Sequence, residues 1–203
     1  VPDRPFLILC PPGLVNQWGA ELAPWFKKGA VDILAYEGTD VTRQLFWTDD
    51  GPWGKSKQRP GHKILVAPFT VSHSTDMQRW CTPGSQVSKD PTEPVVLRKN
   101  NEGTQHLLSQ DWSLVAIDEI HDARNVNNVF RVCLYLASKS GVCLGLTATP
   151  LYTQPSDLFN LGRILRIAAF QGEAGRDLLK EMNAPVTKAR RQRTKAERQE
   201  EAE

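Results

Sequence analysis

The sequence is short of net charge, of cysteine and of long apolar runs, and each shortage excludes something. Its 25 Lys and Arg against 23 Asp and Glu leave only +2 over 203 residues. No global electrostatic pull toward nucleic acid follows, so any such partner has to be argued from local sites. No apolar run approaches the roughly 18–20 residues that a membrane span needs. No basic start followed by an apolar stretch marks a signal peptide. The four cysteines, Cys10, Cys81, Cys133 and Cys143, include no CxxC pair. Three of them lie in apolar or helix-like runs, which reads as buried reduced thiols and suits a cytosolic or nuclear setting better than a secreted one.

What is present is an ordinary globular balance, 40% hydrophobic and 24% charged, enough for one α/β domain or slightly more. Four apolar runs stand out: FLILC (6–10), KILVAP (63–68), SLVAID (113–118) and VCLGLTA (142–148). Each is nearly continuous rather than alternating, the pattern of strands covered on both faces. VDILAYEG (31–38) is a fifth strand-like run. Between them lie helical patterns. Residues 13–28 place Leu14, Trp18, Leu22, Trp25 and Phe26 on about one face, with Pro24 as a kink or stop. Residues 127–138 form an apolar-faced helix after an Asn cap. Residues 155–167 begin with Pro and Ser-Asp and repeat Leu158, Leu161, Ile164 and Leu165. Strand then helix, repeated, predicts an α/β fold with a parallel sheet and helices on both faces. No repeat of solenoid period is present.

Residues 48–63 and 82–94, rich in Gly, Pro, Ser and basic residues, read as loops. Lys55, Lys57, Arg59 and Lys63 of the first are candidate DNA-phosphate contacts, although an ordinary solvated loop is the favoured reading. The stretch 187–203 is dense in charge and poor in apolar residues, an exposed helix or a disordered tail. The expected organisation is one partial nucleotide-binding lobe over 1–184 and a charged tail over 185–203.

The chemistry centres on LVAIDEIHDARN (114–125), where an apolar run ends in Asp118 and Glu119 with His121 two positions on. In open parallel sheets ligands bind beyond the carboxyl ends of the strands. A carboxylate there can hold Mg²⁺, usually through water because Mg²⁺ dehydrates reluctantly. A second carboxylate beside it can polarise an attacking water, and metal-held triphosphate with activated water is the chemistry of nucleotide hydrolysis. The competing reading is that the two acids merely open the next helix, where the dipole favours them.

Three more segments bear on that choice. LTATP (146–150) follows a second strand-like run. LILCPPGLVNQWGAEL (7–22) reads as strand, proline, then a helix carrying Gln-Trp and Glu. ILVAPFTVSHS (64–74) follows. In this order and spacing, across residues 6–166, they resemble motifs Ia, Ib, II and III of the Swi/Snf-type branch of superfamily-two helicase-like ATPases. The resemblance implies a RecA-like lobe, ATP and Mg²⁺ as cofactors, double-stranded DNA and chromatin as partners, a second helicase lobe, no membrane, and a nuclear location with a cytoplasmic alternative. By resemblance Asp118 holds Mg²⁺ through water and belongs to the nucleotide site, Glu119 activates water, and His121 links that site to motif III. Thr147 and Thr149 couple hydrolysis to movement. Pro11, Leu14 and Gln17 lie in the segment that tracks a DNA strand, and Arg124 and Asn125 match the end of motif II. The chain departs from the pattern at Ile120, usually small, at Asp122, often basic, and at Thr153, often Asn.

A phosphate-cradling loop, G-x-x-x-x-G-K-[ST], is missing. The one candidate, Gly54-Lys55-Ser56, has Asp49 where the first glycine belongs and no strand before it. In the resembled family that loop precedes motif Ia, and here Val1 stands almost directly before motif Ia. The expectation is therefore a fragment of an ATP-dependent DNA translocase or chromatin-remodelling-type ATPase, lacking the Walker A strand. Alone it would be inactive and would bind no cofactor tightly. The alternatives are an inactive DNA- or protein-binding module derived from that lobe, and an unrelated parallel α/β metal enzyme. A missing interior strand would leave the sheet marginal and prone to aggregate, unless the flanking strands close up and pair.

Overall fold

The computed structural model describes residues 2–72, 81–82, 96–97, 105–149 and 155–200. Five parallel strands form its sheet: β1 (Phe6–Cys10), β2 (Asp32–Ala35), β3 (Lys63–Pro68), β6 (Trp112–Asp118) and β7 (Ser140–Leu146), in the order β2-β3-β1-β6-β7. A separate antiparallel pair joins β4 (Cys81–Thr82) to β5 (Val96–Leu97). The near-continuous apolar runs have their cause in the two covered faces. Leu7, Leu9, Leu65, Val115 and Ile117 point into one core, beneath α4 (Asn128–Ser138) with Phe130, Cys133 and Leu136. Ile8, Cys10, Ile64, Val66 and Ala116 point into the other, beneath α1 (Val15–Leu22) with Leu14, Trp18 and Leu22.

The strands leave no interior gap. β6 pairs with β1 on one side, Ile8 opposite Ala116, and with β7 on the other, Ala116 opposite Leu144. The strand expected to be missing from the middle is thus not missed there, and the ladder closes without it. The sheet ends at β2 on one side and on the other at β7, neither with an outer partner among the described residues. Val142, Leu144 and Leu146, all on one face of β7, are 40–49% exposed.

Helix boundaries follow local chemistry. The Asn127 side chain accepts the Phe130 N–H at 3.1 Å and starts α4. Pro24 ends α1 at Leu22, and a single tight turn, Ala23–Trp25, replaces the last expected turn. That turn removes Trp25 from the apolar face and leaves it 84% exposed. α5 (Pro155–Ile164) stops before Arg166, which adopts a left-handed φ of 58° while Ile167 N–H reaches back to the Gly162 carbonyl. α6 (Gly172–Glu200) packs against α5 and the turn Ala168–Phe170, where Gly175 lets the helix backbone approach Phe170. It then crosses Pro185 without a break, and the described side chains from there on are exposed.

Residues 48–63 are not the loose loop their Gly and Pro content predicts. After α2 (Asp40–Leu45) comes the short α3 (Pro52–Lys55), held by a cluster of Tyr36, Phe46, Trp47 and Trp53 with ring centroids 5.0–5.7 Å apart. Gly51 and Gly54 lie so close to the backbone of residues 45–49 that no side chain fits at either. Lys63 is not a phosphate contact. It is 6% exposed, its Nζ lies 4.4 Å from the centre of the Trp53 ring, and it donates to the Trp53 carbonyl at 3.2 Å. Burial lowers its pKa and the Asp32 charge opposes the shift. Lys55, Lys57 and Arg59 are exposed. The second expected loop, apart from Thr82, lies outside the described residues.

Two outcomes follow. The chain should self-associate through β7, because an open edge bearing exposed apolar residues is a template for pairing. Sedimentation velocity should show concentration-dependent association that Leu144→Lys suppresses; an unchanged association would place the contact elsewhere. The second concerns pH. Buried His106 uses Nδ1 to accept the Leu108 N–H at 3.1 Å, and burial lowers its pKa to about 4. The unfolded chain takes up the proton near pH 6.5 and the folded chain does not, so stability is present above that pH and is lost as pH falls toward 4. The loss by pH 4 should be on the order of 3 kcal/mol. Denaturant unfolding of His106→Asn, which retains a capping group, should lack most of that slope.

Candidate functional site

Because all five strands run the same way, their carboxyl ends share one edge, and the residues singled out in the sequence gather there. Asp118 closes β6 directly opposite Leu146, so the chain leaving β7 at Thr147 passes beside the chain leaving β6 at Glu119. Glu119 takes a left-handed conformation, φ 49° and ψ 46°, and a tight turn, Ile120–Ala123, follows. The reversal brings His121 back over the edge. Its Nδ1 lies 2.9 Å from Thr147 Oγ1 and 3.0 Å from Glu119 Oε2. A bare nitrogen would face the carboxylate lone pairs, so this geometry requires the proton on Nδ1, shared between hydroxyl and carboxylate oxygens. Thr147 Oγ1 also accepts the Thr149 N–H at 3.1 Å, which bends the chain after β7. The Asp122 carboxylate, 3.6 Å from His121 Nε2, is too far for a good hydrogen bond.

The neighbouring residues hold this turn. Arg124 Nη1 donates to the His121 carbonyl at 2.9 Å, and the Arg124 carbonyl accepts Asn160 Nδ2 of α5 at 2.7 Å. Asn125 is exposed. Ile120, the departure from the small residue, is buried beside Gly145 of β7, where an added Cβ would stand 2.7 Å from Ile120 Cδ1. The strand glycine makes room for the larger side chain. Thr153 and Pro150 lie outside the described residues.

Asp118 is held from two directions. Its Oδ1 accepts the Glu119 N–H at 3.0 Å, and its Oδ2 accepts the indole N–H of Trp18, 100 residues away on α1, at 2.8 Å. Sequence reasoning placed Trp18 on the apolar face and in the Gln-Trp pair of the motif Ia resemblance, and gave it no partner. A signal was available: a half-buried indole needs an acceptor, and this face of α1 overlies the sheet edge. Of the strand-tracking candidates, Gln17 is exposed and donates to Glu21 at 2.7 Å, Pro11 is half-buried, and Leu14 packs on the sheet.

The donor set suits Mg²⁺ held through water. Each Asp118 oxygen has one of its two lone-pair directions taken, leaving acceptors for metal-bound water. No cluster of three His, Cys, Asp or Glu side chains among the described residues could cage a metal. Mg²⁺ characteristically uses one or two carboxylates, phosphate oxygens and water instead. Cys10, at the end of β1, is no nucleophile: burial and the charges of Asp118 and Glu37 push its pKa to about 12. Burial likewise raises Cys133, and raises Cys143 to about 11. Gly54-Lys55-Ser56 cannot serve this site. Ser56 Oγ donates to Asp32 at the start of β2, on the sheet edge opposite Asp118.

Comparison with known proteins identifies the family. The SNF2-related domain model matches residues 2–200. The chain is 28% identical over 166 residues to a Cryptococcus neoformans DNA repair protein RAD5, covering 81% of this chain and 12% of that protein. It is 22% identical over 160 residues to the Oryza sativa DNA excision repair protein CSB, covering 78% and 13%. It is 24% identical over 169 residues to human chromodomain-helicase-DNA-binding protein 6, covering 83% and 5%. The chain thus spans about an eighth or less of these relatives. A Sulfolobus solfataricus SWI2/SNF2 ATPase core in complex with dsDNA is similar over 90% of this chain and 33% of that one, at 16% identity and a TM-score of 0.48. With the family model spanning nearly every residue, the chain belongs to the SNF2-related domain family.

Proposed function

We propose that this chain is part of the amino-terminal motor lobe of an ATP-dependent DNA translocase. The observation that carries the reading is the meeting of Asp118, Glu119, His121 and Thr147 at one sheet edge, with His121 2.9 Å from the Thr147 hydroxyl. ATP with Mg²⁺ would supply the phosphoryl group and the positive charge that stabilises its transfer. Asp118 would hold the metal through its bound water. Glu119, whose side chain is 38% exposed, accepts a proton from the attacking water. His121 holds Glu119 and the start of the chain after β7 together, so a change at the acid reaches Thr147 and Thr149. Pro11, Leu14 and Gln17 border the path of a duplex strand along α1. Double-stranded DNA, in chromatin or bare, is the partner, a second helicase lobe completes the site, and the nucleus is the location. No phosphate-loop sequence of the form G-x-x-x-x-G-K-[ST] occurs in the 203 residues, so we assign turnover to a complete protein that carries this lobe.

The left-handed backbone at Glu119 supports a functional role for that residue. A non-glycine residue there costs on the order of 1 kcal/mol, and strain of this kind concentrates at working sites. Glu119→Gly should therefore raise the unfolding free energy of the 203-residue chain by about 1 kcal/mol. A clear loss in denaturant titration would count against strain. In a complete protein carrying this lobe, Glu119→Gln should keep nucleotide binding and lower DNA-stimulated hydrolysis by at least about 100-fold. Near-normal turnover would remove Glu119 from the mechanism.

A further inference from the structure

The indole of Trp18 joins two parts of the molecule that the proposed function keeps separate. Trp18 sits on α1 between exposed Gln17 and the sheet, on the same short helix as the strand-tracking candidates. Its N–H ends on Oδ2 of Asp118 at 2.8 Å. The Glu119 amide holds the other oxygen, so the two bonds together fix the rotation of the carboxylate. The indole bond reaches Asp118 from α1, and the amide bond comes from the turn that carries Glu119.

The bond is not a by-product of burying a tryptophan. The indole nitrogens of Trp47 and Trp112 are buried with no hydrogen-bond partner, so this fold accepts a packed indole whose N–H is unmatched. At Trp18 the N–H meets a carboxylate, a charge-assisted bond roughly twice as strong as a neutral one. Trp18 also packs against the buried apolar group that includes Ile8, Val66 and Ala116. A shift of α1 therefore cannot leave Asp118 untouched: either the carboxylate follows the indole or the bond breaks.

We propose that Trp18 is a positioning residue that makes duplex binding along α1 and metal binding at Asp118 interdependent. This rests on the proposed function, which supplies both the metal at Asp118 and the strand at α1. Through the indole bond a strand that settles α1 also settles the Asp118 carboxylate in its metal-accepting rotation. By linkage, metal at Asp118 tightens the hold on DNA by the same factor.

The test uses the 203-residue chain labelled with ¹⁵N, Mn²⁺ alone as the probe, and a plain DNA duplex. Paramagnetic broadening of the Glu119 amide reports metal at the neighbouring carboxylate even when binding is weak. In the unaltered chain the duplex should lower the Mn²⁺ concentration for half-broadening by about fivefold, within the range usual for coupled sites. Replacing Trp18 by 3-benzothienylalanine exchanges the N–H for sulfur in a ring of nearly the same shape. That chain should melt normally, bind the duplex alone as before, and show no duplex effect on Mn²⁺. Trp18→Phe gives a second variant, with its melt as the check on packing. An equal duplex effect without the N–H, or no duplex effect in the unaltered chain, overturns the coupling. Broadening that survives Asp118→Asn undiminished, or that never appears, overturns the metal assignment of the proposed function and the coupling with it.

Discussion

The parallel ladder of β6 between β1 and β7 is the constraint on which the rest depends. Backbone hydrogen bonds fix its register, Leu7 opposite Val115 and Asp118 opposite Leu146. Parallel strands end together, so one register places Cys10, Asp118 and Leu146 on a common edge. Everything with chemical interest then leaves the sheet within a few residues of that edge. α1 follows β1 and carries Trp18, the tight turn follows β6 and carries His121, and Thr147 follows β7. A slip of one residue in β6 would turn Val115 and Ile117 out of their core and Ala116 into it. The same slip would move Asp118 away from the indole. Packing on two faces therefore enforces the geometry of the edge.

Within that frame the site is made by bending the chain. An extended exit from β6 would carry His121 away from β7. The left-handed Glu119 reverses the direction immediately, and the Arg124 bond to the His121 carbonyl closes the reversal. Ile120 at the head of the turn needs space against β7, and Gly145 supplies it. The strand glycine, the strained acid and the large residue in place of a small one are thus parts of a single solution. A side chain at 145 would push Ile120, and Ile120 lies between Glu119 and His121.

Much of this was legible in the sequence, because it is local. Apolar runs without alternation announce doubly covered strands, and the Asn127 cap and the Pro155 start announce helices. Asp118 and Glu119 stand at a strand end because the apolar run stops there. What the sequence hid is non-local or competitive. The Trp18–Asp118 bond spans 100 residues, and an indole's need for an acceptor does not say which distant carboxylate meets it. In residues 48–63 turn residues outnumber apolar ones, yet Trp47 and Trp53 bury enough surface against Tyr36 and Phe46 to order the segment. Lys63 was read by its charge and is placed by its strand. Trp25 was put on a helix face that Pro24 had already ended. The interior gap was expected from a family's order of strands, whereas pairing answers to which edges can hydrogen-bond, and β1, β6 and β7 can.

The contrast among the tryptophans bears on how the two faces of the sheet divide their work. Trp112, wholly buried at the start of β6, and Trp47, in the aromatic cluster, leave their N–H groups unmatched, at a cost of about 1–3 kcal/mol each. Those rings are retained for the apolar surface they bury, which exceeds that cost. They lie in the core covered by α4, where tight packing admits little rearrangement. The opposite face, beneath α1, holds a smaller buried group, and Trp18 there is only part-buried. Elements with few buried contacts open and shift at lower free energy than the core. Among the described residues the carboxylate-bound indole thus stands on the lightly packed face, next to the edge where the acids stand.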